Sequence, residues 1–120
     1  MVLVDTSVWV QHLRRTLPVL ARLLAEGVVA GHPFVVGELA CGNLRNRAEI
    51  LCLLSNLPSA AVAGHEDVLQ LIEVRRLMGT GLGWIDVHLL ASALLSGFRV
   101  WTLDRRLRTA AADLGVGFST

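Results

Sequence analysis

Four carboxylates, Asp5, Glu38, Asp86 and Asp104, carry the chemistry this sequence offers. Asp5 ends the short β-branched run Val2-Leu3-Val4 and precedes Thr6-Ser7 and an apolar-periodic segment. It reads as an acid delivered by a first strand to the mouth of a sheet. Asp104 repeats the design after Val100-Trp101-Thr102. An acid at the carboxyl end of a parallel strand lies at the rim where open α/β sheets bind ligands. Capping of the following helix would also place an aspartate at each position. Asp86 falls in the first turn of a helix, where the dipole favours a carboxylate. Yet it shares a helical stripe with Leu89, Leu90 and Ala93, while His88, Ser92 and Ser96 form another. It therefore turns toward the packed side, where an unpaired charge is costly. Glu38 lies mid-helix with Phe34, Val35, Cys41 and Gly42 at i±3 and i±4 and no basic residue within pairing reach. A carboxylate in such company needs a positive charge beside it or a raised pKa.

Four acids at one rim repel one another and call for a cation. Oxygen donors without a Cys or His cluster select a hard ion, Mg²⁺ or Mn²⁺. A carboxylate-held Mg²⁺ keeps waters, so it can present a hydroxide and steady a phosphate oxygen; two ions about 4 Å apart would stabilise both attacking and leaving oxygens. The formal charge of +1 conceals an asymmetry: all 11 basic residues are arginine. With the four acids set aside, six face eleven arginines, a surplus that suits a polyanionic partner. A compositional preference for arginine on ordinary solvated faces would give the same count. Phosphodiester hydrolysis satisfies both the acids and the surplus. Of the pairs Arg14-Arg15, Arg75-Arg76 and Arg105-Arg106, the last adjoins Asp104 and is the first choice for phosphate contact. Trp84 has the chemistry to stack on a base, although packing is the more common fate of a tryptophan.

The elements that must position these residues follow from periodicity. Strands are predicted over 2–4, 28–30, 60–63, 99–102 and 116–118. Helices are predicted over 8–15, 18–26, 33–41, 47–57, 65–78, 84–96 and 104–114. The alternation predicts an α/β fold, a short parallel sheet flanked by helices as a three-layer sandwich. At 120 residues and 53% hydrophobic, the chain (residues 1–120) reads as one domain with a substantial core. No apolar run reaches the roughly 18 residues of a membrane helix, and the N-terminus lacks signal-peptide features, so a cytoplasmic protein is expected. Cys41 and Cys52 lie in apolar helical patterns and read as buried thiols. The loop Gly79-Thr80-Gly81-Leu82-Gly83 departs from the dinucleotide fingerprint and reads as a loop beside Asp86. Trp9 and Trp101 are assigned to the core. His88, two residues past Asp86, falls on another helical face and is not expected to be a ligand; His12, His32 and His65 carry no signal.

The stretches Val4-Asp5-Thr6-Ser7-Val8-Trp9, Val36-Gly37-Glu38-Leu39, Ile85-Asp86-Val87-His88-Leu89-Leu90-Ala91 and Thr102-Leu103-Asp104-Arg105-Arg106-Leu107 together resemble the PIN-domain ribonucleases, in particular the VapC-type toxins of prokaryotic toxin–antitoxin modules. The resemblance spans nearly the whole chain. It implies a parallel sheet between helices, Mg²⁺-dependent endoribonuclease activity, a homodimer, and a cognate VapB-type antitoxin whose tail enters the acidic cleft. Carried over by position, it makes Asp5, Glu38, Asp86 and Asp104 the acidic, metal-holding site. Thr6 or Ser7 becomes the polar residue beside the first acid, and Thr102 the hydroxyl before the last. Some relatives carry a further acid after the last; Arg105, Arg106 and Leu107 stand there instead, which removes a fifth acidic position.

Two aspartyl-phosphate families also place an Asp after strand one. Receiver domains rely on a lysine, and this chain has none. Haloacid-dehalogenase-like phosphatases want a second Asp two residues on, where Ser7 stands. The non-enzymatic alternative is a silent PIN-like RNA-binding or scaffold domain, against which the presence of all four acids argues.

Overall fold

The computed structural model describes residues 1–120. Three parallel strands, β1 (Val2–Val4), β2 (Val29–Ala30) and β3 (Arg99–Trp101), form a sheet in the order β2-β1-β3. Val2 pairs with Val29 on one side and Arg99 on the other. The central strand is buried along its whole length, so both faces are covered. That is why its sequence reads as an unbroken apolar run and not as an alternation.

Seven helices surround the sheet: α1 (Thr6–Arg14), α2 (Pro18–Ala25), α3 (Pro33–Ala40), α4 (Arg47–Ser55), α5 (His65–Arg75), α6 (Trp84–Ser96) and α7 (Arg105–Asp113). Pro18 and Pro33 each open a helix at its first position, where the missing N–H costs nothing. The core joins Leu3 and Val4 of the sheet to Val8, Leu20, Leu89, Leu90 and Leu107 of the helices, all fully buried. Trp9 and Trp101 belong to it. No helix is long and apolar enough to cross a membrane.

Two predicted strands are absent. Beyond β2, the predicted Ala60–Ala63 strand is replaced by a single parallel bridge between Gly31 and Ser59, one residue before it. The Ala61 N–H turns instead to the Ser96 hydroxyl (2.8 Å). Likewise Val116–Phe118 contributes a single bridge, Val100 to Gly117. Both segments lie at the sheet's edges, where three or four weakly apolar residues pair too briefly to count as strands. Cys41 and Cys52 are exposed free thiols, not buried ones, because α3 and α4 turn other faces, Leu39 and Leu54, to the core.

The polar stripe of α6 corrects a second expectation. His88 and Ser92 are buried, and Leu94 and Leu95 are exposed. The polar residues face inward because partners await them. Ser92 Oγ lies 3.0 Å from His32 Nε2, and Ser96 holds the 60–63 segment. The His32 Nδ1 accepts the Phe34 N–H (3.0 Å) and so caps α3. An acceptor nitrogen carries no proton, so the ring is the Nε2–H tautomer and donates to Ser92. Burial first, and the neighbouring His88 second, lower the His32 pKa from 6.5 to about 4.

Candidate active site

From β1 the chain runs to β2 on one side and, much later, reaches β3 on the other. The crevice past the carboxyl ends of β1 and β3 is therefore a topological switch point. Asp5 leaves β1 and Asp104 follows β3 by three residues, so both lie at this rim. The Asp5 N–H donates to the Trp101 carbonyl (2.9 Å) and ties the two strand ends together.

Asp5 is the N-cap residue of α1, but its side chain makes no capping bond. The carboxylate is buried and turned to two hydroxyls. Ser7 (2.8 Å) and Thr102 (2.7 Å) both donate to Oδ2. Those hydroxyls in turn accept backbone N–H groups, Ser7 from Leu103 and Thr102 from Asp104, each at 3.0 Å. With their acceptor sides engaged, the single proton of each hydroxyl is directed onto Asp5. Ser7 and Thr102 thus orient the first acid and lock the loop leading to the last.

Asp104 does cap its helix: Oδ1 accepts the Leu107 N–H (3.0 Å). Asp86 is half-buried at the start of α6, with Oδ2 accepting the Gly83 N–H (2.9 Å). Burial raises its pKa most; the Gly83 bond acts against this, and the charges of Asp5 and Asp104 add to the rise. Asp86 therefore senses the charges of Asp5 and Asp104. Glu38 joins from α3, where the Thr6 hydroxyl donates to Oε1 (2.7 Å).

Glu38 is exposed, which corrects the reason for noticing it. The apolar residues at i±3 and i±4 do not enclose it, because the face of α3 bearing Gly37, Glu38 and Cys41 points outward and Val35 and Leu39 turn in.

All four acids share one pattern. Each gives a single carboxylate oxygen to a protein donor, and none of their second oxygens receives a hydrogen bond from the chain. No three acidic, His or Cys side chains converge as a ready ligand set. The donor chemistry is nonetheless that of a hard cation: oxygen only, mutually repelling, each group oriented with one oxygen to spare. His88 packs edge-on between Phe34 and Trp84, with a buried Nδ1 that has no partner, and is not among these donors. Trp84 is 38% exposed and also touches the His65 ring at 5.1 Å between centroids.

Clefts flank the acids on both sides. One, of about 680 Å³, runs past Asp104 and is lined by Arg105 and Arg106 together with Arg75 and Arg76. The other, of about 750 Å³, passes Thr6 and Glu38 and is lined by Arg14 and Arg45. Sequence reasoning named the pairs Arg14-Arg15, Arg75-Arg76 and Arg105-Arg106, ranked the last first, and did not single out Arg45. Adjacent arginines at helix ends were the available signal; which of them share a cleft depends on tertiary packing.

Capping and a metal-ligand role for Asp104 predict different outcomes. Asparagine caps as well as aspartate, whereas alanine forfeits about 1 kcal/mol. Asp104→Asn is expected to keep the melting temperature of the wild type, and Asp104→Ala to lower it by several degrees. Both should lose metal-dependent activity, so activity and stability measured side by side distinguish the two roles.

The model of the PIN domain matches residues 2–113. Two ribonucleases named VapC32, from Mycobacterium tuberculosis strains CDC 1551 / Oshkosh and ATCC 25618 / H37Rv, are each 47% identical to this chain over 120 residues, covering 99% of it and 97% of their own length. With the sheet order, the acids at its rim and a match over nearly its whole length, the chain belongs to the PIN-domain family.

Proposed function

We propose that this chain is a divalent-metal-dependent endoribonuclease, the toxin of a toxin–antitoxin pair, acting in the cytoplasm on RNA. The observation that carries the reading is the set of four acids from four separate segments, each oriented by one oxygen and free at the other. The relatives named ribonucleases support it. Asp5, Glu38, Asp86 and Asp104 would hold Mg²⁺, with Mn²⁺ as a substitute. Held by these residues, the cation would supply a nucleophilic water at neutral pH and neutralise charge on the phosphate.

The chain's own contribution is positional. Ser7 and Thr102 aim Asp5, Thr6 aims Glu38, and the Gly83 N–H aims Asp86. Arg105 and Arg106, beside Asp104, meet the phosphodiester backbone. Trp84, at the mouth of α6, offers exposed ring surface to a base. A homodimer and a VapB-type antitoxin complete the assembly.

Asp86 supplies a test that does not depend on activity. Its pKa is raised, so its contribution to stability is greatest when it is protonated and declines as pH rises through its folded pKa. At neutral pH without metal, Asp86→Asn should match or exceed the wild type in melting temperature. Mg²⁺ or Mn²⁺ should raise the wild-type value by several degrees and the variant's much less. Equal metal-induced shifts in both proteins would sink the ligand role.

A further inference from the structure

The cleft beside Asp104 gathers two arginine pairs that are 29 or more residues apart in sequence, Arg75-Arg76 at the end of α5 and Arg105-Arg106 at the start of α7. All four are exposed. The chain's one ion pair is Arg22–Glu26, and none of the four guanidiniums donates a hydrogen bond within the protein. Four free forks thus face one cleft whose only acids are Asp104 and Asp113.

Two further features set these residues apart from ordinary solvated side chains. Arg76 adopts a left-handed backbone (φ 54°, ψ 51°) at the C-cap of α5, a conformation in which glycine or asparagine would be less strained. Strain kept at a cleft is a pointer to function. Arg106 is seated against Gly81, where an added Cβ would lie 2.6 Å from Arg106 Cδ in a backbone of φ +86°. Gly81 therefore lets the 79–83 loop hold Arg106 in place, so less side-chain freedom remains to be lost on binding.

We propose that Arg75, Arg76, Arg105 and Arg106 form a backbone subsite that holds successive phosphates of single-stranded RNA on the Asp104 side of the scissile bond. The proposal rests on the ribonuclease reading. A substrate cut at the acids must continue past Asp104, and this cleft is its continuation there. Guanidinium forks match phosphate oxygens two at a time, while Asp104 and Asp113 oppose a carboxylate-rich peptide.

The test is binding of a labelled single-stranded RNA oligonucleotide in EDTA, across a salt series, alongside cleavage in Mg²⁺. Relative to wild type and to Arg22→Gln, which lines neither cleft, the double variant Arg75→Gln/Arg105→Gln should raise Kd about tenfold. It should flatten the salt dependence by about 1.4, roughly 0.7 for each lost phosphate contact. In cleavage, KM should rise with kcat nearly kept. Arg76→Gly should keep or raise the melting temperature while weakening RNA binding, a pairing that misfolding cannot produce. Unchanged Kd and salt slope in both variants, with wild-type cleavage intact, would overturn the subsite and leave the ribonuclease reading standing. Loss of poly-glutamate binding with RNA binding unaffected would overturn it in favour of an acidic peptide. A wild-type protein that neither binds nor cleaves RNA sinks the ribonuclease reading, and the subsite with it.

Discussion

Replacing Asp5 by asparagine is expected to lower divalent-metal-dependent RNA cleavage at least about a thousand-fold while the chain stays folded. On the proposed reading, Asp5→Asn would remove one anionic ligand from a site whose cation would be worth several kcal/mol to the transition state; about 4 kcal/mol corresponds to three powers of ten. The fold survives because asparagine keeps an acceptor oxygen of the same shape. The Ser7 and Thr102 hydroxyls that now donate to Asp5 Oδ2 can donate to the amide oxygen, and α1 loses no cap because the Asp5 side chain makes none. Asp5→Ala is a different experiment. It removes the shared acceptor of the half-buried Ser7 and buried Thr102 hydroxyls, and a fall in melting temperature would confound the loss of activity. Single-turnover cleavage together with thermal unfolding of Asp5→Asn separates the two. Near-wild-type cleavage by this variant would refute a ligand role for Asp5.

A second large effect is expected at His32, two residues past the carboxyl end of β2. The native ring has a pKa of about 4 against 6.5 for an unperturbed histidine. Between those values the unfolded chain binds a proton that the native one does not, so stability rises with pH across that window. The contribution is complete above pH 6.5, declines as pH falls toward 4, and changes no further below. The shift corresponds to about 3 kcal/mol. Protonation at Nδ1 would also break the cap on the Phe34 N–H. Chemical denaturation at pH 7 and pH 4.5 should therefore show a substantial loss in the wild type. His32→Asn, which keeps an acceptor at the α3 N-cap, should be less stable at pH 7 and lose much less between the two pH values. His88 is also shifted down, by burial and by His65, so some acid sensitivity of the same sign will persist. An unaltered pH dependence in His32→Asn would contradict the assignment.

How much of this could be read from the residues varies with the kind of interaction. Val2-Leu3-Val4-Asp5 and Val100-Trp101-Thr102-Leu103-Asp104 were legible because a short apolar run followed by an acid is a local pattern. Glu38 was found by an argument that fails: its apolar neighbours in sequence lie on other faces of α3, and the side chain is exposed. Its connection to the rim runs through the Thr6 hydroxyl, 32 residues away. The polar stripe of α6 was misread for a related reason. Helical periodicity separates faces but does not say which is wet, and His32 inverts the expectation by offering Ser92 a buried partner. The exposed cysteines follow the same logic. The arginine cleft depends on the fold bringing the end of α5 and the start of α7 to one cleft, which no window of sequence contains.

The most direct test of the central claim is the chemistry of the cut ends. Purified chain and single-stranded RNA are incubated with Mg²⁺ and, in parallel, with EDTA, and the products are typed by their terminal phosphates. Water activated at a metal site held by Asp5, Glu38, Asp86 and Asp104 leaves phosphomonoester and hydroxyl ends with no cyclic phosphate, and cleavage stops in EDTA. Undiminished cleavage in EDTA giving 2′,3′-cyclic phosphate ends would mean that the RNA's own 2′-hydroxyl is the nucleophile, and would contradict the account.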